Sequence, residues 1–161
     1  MLQAPRDMAL SLAAVAAAGM RTQLGALCYR VIRDKPQILM ITSRGTGRWI
    51  IPKGWPIDGL SAPKGALQEA YEEAGVKGRA FDAPIGFFTY RKDPEARGGT
   101  PCAVLVYPVK VKTLLDSYPE AGQRKRKWLS RKKAAARASD PELAQILRDF
   151  DPMHLRRRAK S

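Results

Sequence analysis

Apolar positions in this chain fall mostly in short unbroken runs. Residues 22–30 (TQLGALCYR) and 37–43 (QILMITS) each predict a strand, and Asp34-Lys35-Pro36 between them predicts a turn, so the pair reads as a β-hairpin. Trp49-Ile50-Ile51 predicts a short strand, entered from a glycine and arginine loop at 44–48 and running into a Pro52-Lys53-Gly54-Trp55-Pro56 loop. The period then becomes helical. Leu67, Ala70, Tyr71 and Ala74 share one face of a helix with Ser61 as N-cap, Pro63 in the first turn and Gly75 at the left-handed stop. Gly65 inside it costs about 1 kcal/mol against Ala. Residues 78–90 predict one or two strands broken near Pro84, 91–100 a polar loop, 101–112 (PCAVLVYPVKVK) a strongly apolar strand and 124–129 a last strand. Ser130 caps a helix to about Arg137, and Asp140-Pro141 opens another that runs to Phe150. The order predicts an α+β sandwich, a mixed sheet flanked by helices.

With 161 residues the chain is large enough for one domain with a proper core. Residues 1–20 form an Ala-rich extension, expected as a helix packing on the domain or on a second copy and too short to span a bilayer. Residues 21–150 form the domain, and 151–161 a basic tail carrying Arg156-Arg157-Arg158, expected to be mobile. Cys28 and Cys102 lie in apolar runs and read as buried thiols of a cytoplasmic protein, without a disulfide framework. His154, in the basic tail, is poorly placed as a catalytic base.

Charge narrows the partners. With 29 Lys and Arg against 15 Asp and Glu, the net charge of +14 favours a polyanion: nucleotide, inositol polyphosphate or nucleic acid. Inside this basic chain, Glu69, Glu72 and Glu73 are spaced i, i+3, i+4, which places three carboxylates on one helix face, opposite the apolar one. Mutual repulsion gives a bare helix little reason to hold them, whereas a Mg²⁺ ion, which takes hard oxygens and keeps room for water and phosphates, supplies one. A solvated acidic face is the alternative reading of the helix alone.

The preceding loop decides between them. Gly54, followed in register by Glu69, Glu72, Glu73, Gly75 and Val76, resembles the signature of the Nudix hydrolase family. Leu60 stands where that family has its first Glu, Gln68 where it has Arg, and Ala70 is smaller than the usual aliphatic. Shorter matches, Ala26-Leu27-Cys28-Tyr29-Arg30, Thr42-Ser43-Arg44, Arg48-Trp49-Ile50-Ile51-Pro52 and Lys127-Trp128-Leu129-Ser130, look like the diphosphoinositol polyphosphate and diadenosine polyphosphate hydrolases.

The resemblance implies an α/β/α sandwich and Mg²⁺-dependent (or Mn²⁺-dependent) hydrolysis of a phosphoanhydride bond in a phosphate-rich small molecule of those two classes. It implies Glu69 and Glu73 as metal ligands with the Gly54 carbonyl as a third, and Glu72 as general base. Glu95 and Glu120 are alternative bases, read first as solvated loop acids. Arg21, Arg44, Arg48, Lys53, Arg91 and Lys92 are the expected phosphate contacts, because Arg gives bidentate and Lys point-charge recognition. Trp55 stacks on a base or packs under the loop. In the run Arg124-Lys125-Arg126-Lys127, only alternate residues can face one ligand. An RNA 5′-end pyrophosphohydrolase, or a weakly catalytic nucleotide- or RNA-binding module, is the alternative function, motivated by the tail and by Leu60 and Gln68. No membrane partner is expected, and the state is monomer or homodimer.

Overall fold

The computed structural model describes residues 13–14, 17–92 and 99–155. Most of the N-terminal extension, Glu95 and Arg156-Arg157-Arg158 lie outside the described residues. Eight strands form one mixed sheet among the described residues: β1 (Arg21–Ile32), β2 (Lys35–Thr42), β3 (Trp49–Ile50), β4 (Lys53–Gly54), β5 (Val76–Ala80), β6 (Gly86–Lys92), β7 (Thr100–Leu114) and β8 (Arg126–Ser130). The helices are α1 (Ala62–Ala74), α2 (Arg131–Arg137) and α3 (Pro141–Asp149).

Strand β1 is the axis of the sheet. Along one edge it runs parallel to β7, from Arg21 opposite Cys102 to Tyr29 opposite Lys110. Its other edge is divided: Tyr29 to Ile32 pair with β2, while Leu24 and Gly25 pair with β4. β7 likewise splits its far edge between β6 and β5.

The apolar runs are unbroken because both faces of the sheet are covered. Leu24, Ala26 and Cys28 of β1, with Leu39 and Ile41 of β2, pack against Ala66, Ala70 and Ala74 of α1. Leu27 and Tyr29, with Ile38 and Met40, point the other way, onto Ala134 of α2, Leu143 and Leu147 of α3, and Phe150. The two sets alternate with the strand period of two. This is the sandwich that the element order predicts.

Three details differ from the sequence expectation. The hairpin turns at Arg33 and Asp34, both left-handed (φ 51° and 64°), while Lys35 and Pro36 belong to β2. On α1, Ala66 is fully covered while Leu67 and Tyr71 are half-buried. Past Phe150 the chain stays packed, with Leu155 buried in the core.

Two glycines set close approaches. A Cβ at Gly65 would lie 2.8 Å from Leu24 Cδ1, so the residue that weakens α1 also lets it settle on β1. At Gly78, beside a register shift between β5 and β7, a Cβ would run into the Lys110 carbonyl, a backbone group that cannot swing away. Gly78→Ala is therefore expected to lower unfolding stability by about 1–3 kcal/mol, measured as a shift of the urea midpoint.

Candidate active site

The site forms where α1 crosses β4. Gly75, left-handed at φ 68°, ends the helix, and its N–H bonds back to the helix carbonyls. The segment that follows β7, residues 115–126, clamps that end. Leu115 N–H donates to Gly75 O (2.8 Å), Glu120 N–H to Glu72 O (3.0 Å) and Arg126 Nη1 to Ala74 O (2.8 Å). These bonds satisfy C-terminal carbonyls that a helix leaves open. They also bring Glu120 and Arg124 over the acidic face.

On that face Glu69 and Glu73 meet. Glu73 is buried, with 6% of its surface exposed, although the sequence reading places all three glutamates on an open face. Its neighbours explain how it is held. Lys53 N–H donates to Glu73 Oε1 over 3.4 Å, Arg124 Nη2 lies 3.8 Å away, and the Glu69 carboxyl is hydrogen-bonded to it. Burial, and then the proton shared with Glu69, raise the Glu73 pKa to about 8, against the opposing pull of Arg124. Burial also raises that of Glu69. A Cβ at Gly54 would overlap the Glu69 carboxylate, so only glycine leaves this cradle open.

A cleft of about 780 Å³ opens above the pair. Arg124 is its inner cation, with 10% of its side chain exposed, donating to Glu120 (3.1 Å) and Thr42 O (3.2 Å). Arg44 reaches in from the end of β2, bonded to Gln123 (3.0 Å) and 3.8 Å from Glu120. On the other side, Lys53 Nζ lies 4.7 Å from the centre of the Tyr90 ring, and Tyr90 Oη donates to the buried Gln23 (2.5 Å). Burial lowers the Lys53 pKa, and Glu73 and Asp140 oppose that shift.

Of the ten residues expected at the site, Gly54, Glu69, Glu73, Arg44, Lys53 and Lys92 line the cleft. Glu72, Arg21, Arg48 and Arg91 are not among its lining residues. Glu72 instead accepts from Gln68 Nε2 (3.2 Å), so the amide in the place of the family's Arg binds a carboxylate of the same helix. Leu60, in the place of the first Glu, is exposed. Arg21 stacks on Trp55, and the Arg48 N–H closes the 43–48 loop by donating to Ser43 Oγ.

From sequence, the run 124–127 leaves open which half faces the ligand, Glu120 reads first as a solvated loop acid, and Gln23 and Tyr90 are not singled out. The structure turns Arg124 and Arg126 inward and leaves Lys125 and Lys127 exposed. Gln23 and Tyr90 carry no sequence signal.

The donor set can be tested against a divalent cation. Among the described residues no three His, Cys, Asp or Glu side chains converge tightly enough to cage an ion. Two carboxylates and the Gly54 carbonyl, all hard oxygens, suit a cation such as Mg²⁺ that uses one or two carboxylates and fills the rest of its shell with water and phosphate oxygens. The two glutamates, otherwise obliged to share a proton, fit it.

The fold and site thus define a mixed-sheet sandwich with a cation-rimmed, carboxylate-floored cleft. A family model described as NUDIX domain matches residues 21–150, and the chain belongs to the Nudix family. It is 31% identical over 122 residues to Nudix hydrolase 12, mitochondrial, of Arabidopsis thaliana, covering 73% of this chain and 59% of that protein. It is 34% identical over 113 residues to diphosphoinositol polyphosphate phosphohydrolase 3-alpha of Homo sapiens, covering 68% and 64%. The chain thus spans about three fifths of the length of the curated relatives it matches. The C. elegans Ap4A hydrolase structure superposes with a TM-score of 0.62 over 80% of this chain and 94% of that one, at 23% identity, a likeness of fold. Among the described residues no helix is long and apolar enough to cross a membrane.

The carboxylate pair makes a pH prediction. A carboxyl whose folded pKa is raised binds more protons folded than unfolded, so it costs stability as pH rises from its ordinary 4.5 towards about 8. In EDTA, unfolding stability should fall across that window, and Glu73→Gln should flatten the fall. Denaturant melts at stepped pH measure both.

Proposed function

We propose that this protein is a divalent-metal-dependent pyrophosphohydrolase. Its substrate is a phosphate-rich small molecule of the diphosphoinositol polyphosphate or diadenosine polyphosphate class. The observation that carries the reading is the Glu69–Glu73 pair, pressed against Gly54 at the floor of a cleft bordered by Arg44, Lys53, Lys92 and Arg124. Family membership and the diphosphoinositol polyphosphate phosphohydrolase relative support it.

Glu69, Glu73 and the Gly54 carbonyl would hold Mg²⁺ or Mn²⁺. Bound there, the ion supplies positive charge against phosphate oxygens and lowers the pKa of water. The remaining work falls to the protein. Arg124, fixed by Glu120 and Thr42, keeps a positive charge beside Glu73 and favours its ionised form. Lys53 and Lys92 orient the phosphates as point charges from the other wall. Two carboxylates can take the proton from the attacking water. Glu72, adjoining the pair on α1, is the first, and Gln68 orients it. Glu120, which lines the cleft, is the second.

Turnover should be tested with Mg²⁺ and with Mn²⁺ on diphosphoinositol polyphosphates, diadenosine polyphosphates, 5′-triphosphorylated RNA, nucleoside triphosphates and ADP-ribose. The expected result is hydrolysis of one of the first two classes that EDTA abolishes. Glu73→Gln should lower kcat by more than about a hundredfold, beyond what loss of an outer-shell partner costs, with an unchanged circular-dichroism spectrum. Unchanged turnover in that variant would refute the assignment.

A further inference from the structure

The cations in and beside the cleft differ in how their charge is met. Arg124 and Arg44 lean on Glu73 and Glu120, so much of their charge is answered within the protein. Arg21 and Lys92 differ: among the described residues, no carboxylate lies within ion-pair distance of either. Both are instead placed over one indole. The Arg21 guanidinium carbon lies 4.2 Å from the centre of the Trp55 ring, and Lys92 Nζ 5.1 Å from it.

Three separate elements meet at this ring. Arg21 begins β1 and Lys92 ends β6. They are held apart by β7, where their partners are Cys102 and Thr100. Trp55 follows directly on Gly54 of β4. Two like charges brought together repel each other, and the electron-rich face of an indole offsets part of that cost while leaving the N–H donors open. A carboxylate there would neutralise them. The aromatic ring gathers the two cations without neutralising them, which suits an anion arriving from outside.

From this we infer that Trp55 is a positioning residue. It holds Arg21 and Lys92 together as a second anion subsite at the rim of the cleft, for phosphates beyond those at Glu69 and Glu73. The indole works through the two cations and does not itself stack on the substrate. The inference deepens the proposed function and rests on its phosphate-rich substrate. It gives the phosphate chain a direction, from Gly54 past Lys53 towards Trp55 and away from Arg44.

The probe is inorganic tripolyphosphate, which has no base or ring to stack, titrated calorimetrically into the full chain in EDTA. Trp55→Ala should weaken binding about tenfold, and Trp55→Phe, which keeps an aromatic face, should restore most of it. In an Arg21→Ala/Lys92→Ala background, Trp55→Ala should add nothing further. On whichever substrate is turned over, Trp55→Ala should raise KM and leave kcat within about twofold. Wild-type protein that does not bind tripolyphosphate at millimolar concentration, a Trp55→Ala variant that binds it equally well, or an undiminished Trp55 effect without the two cations would each overturn the inference. Trp55-dependent binding with no turnover of any substrate would retain the subsite and refute the hydrolase.

Discussion

The constraint on which the site depends is the burial of two carboxylates against each other. Glu69 and Glu73 lie one turn apart on α1, and the approach of that helix to β4 removes Glu73 from water. Neither burial nor proximity to a like charge favours an ionised glutamate. The protein tolerates the arrangement because the surroundings are built for it. Small residues, Gly65, Ala66, Ala70 and Ala74, let α1 lie close to the sheet, and Gly54 leaves the carboxylates room. Arg124 and the Lys53 N–H then partly compensate the charge. Under the proposed function, this arrangement prepares a cation site at the expense of local stability, as functional sites commonly are.

The segment between β7 and β8 completes the arrangement. It returns across the end of α1, and the bonds that close the helix carbonyls also fix Glu120 and Arg126. Helix termination and site assembly are therefore one event. Arg126, bonded to Ala74 O and 4.9 Å from the centre of the Tyr118 ring, anchors this return. Two residues earlier in the chain, Arg124 faces Glu73.

What the sequence made legible follows the range of the interactions concerned. The apolar runs of β1, β2 and β7 and the caps of α1 and α2 are local signals. Gly75 adopts the left-handed turn and Ser130 Oγ accepts from Lys133 N–H, while Ser61 holds the N-cap position of α1 without a side-chain capping bond. The loop–helix signature gave the family. The two-residue strand β4 has no local signature, because its identity lies wholly in pairing with Leu24 and Gly25. The burial of Glu73 depends likewise on β4, 20 residues earlier in the chain, and the ordering of Glu120 and the inward turn of Arg124 depend on contacts with the distant helix α1. Glutamate spacing shows that carboxylates share a face. It does not show what will close over that face.

The proposed divalent-cation site consists of the paired carboxylates and Gly54. A crystal of the protein grown with Mn²⁺, with diffraction recorded to locate the anomalous signal of the ion, tests it most directly. The expected peak is bounded by the Glu69 and Glu73 carboxylates and the Gly54 carbonyl oxygen and is lost in Glu69→Gln crystals. Mn²⁺ bound only elsewhere in the chain, or a peak that survives that substitution unchanged, would contradict it.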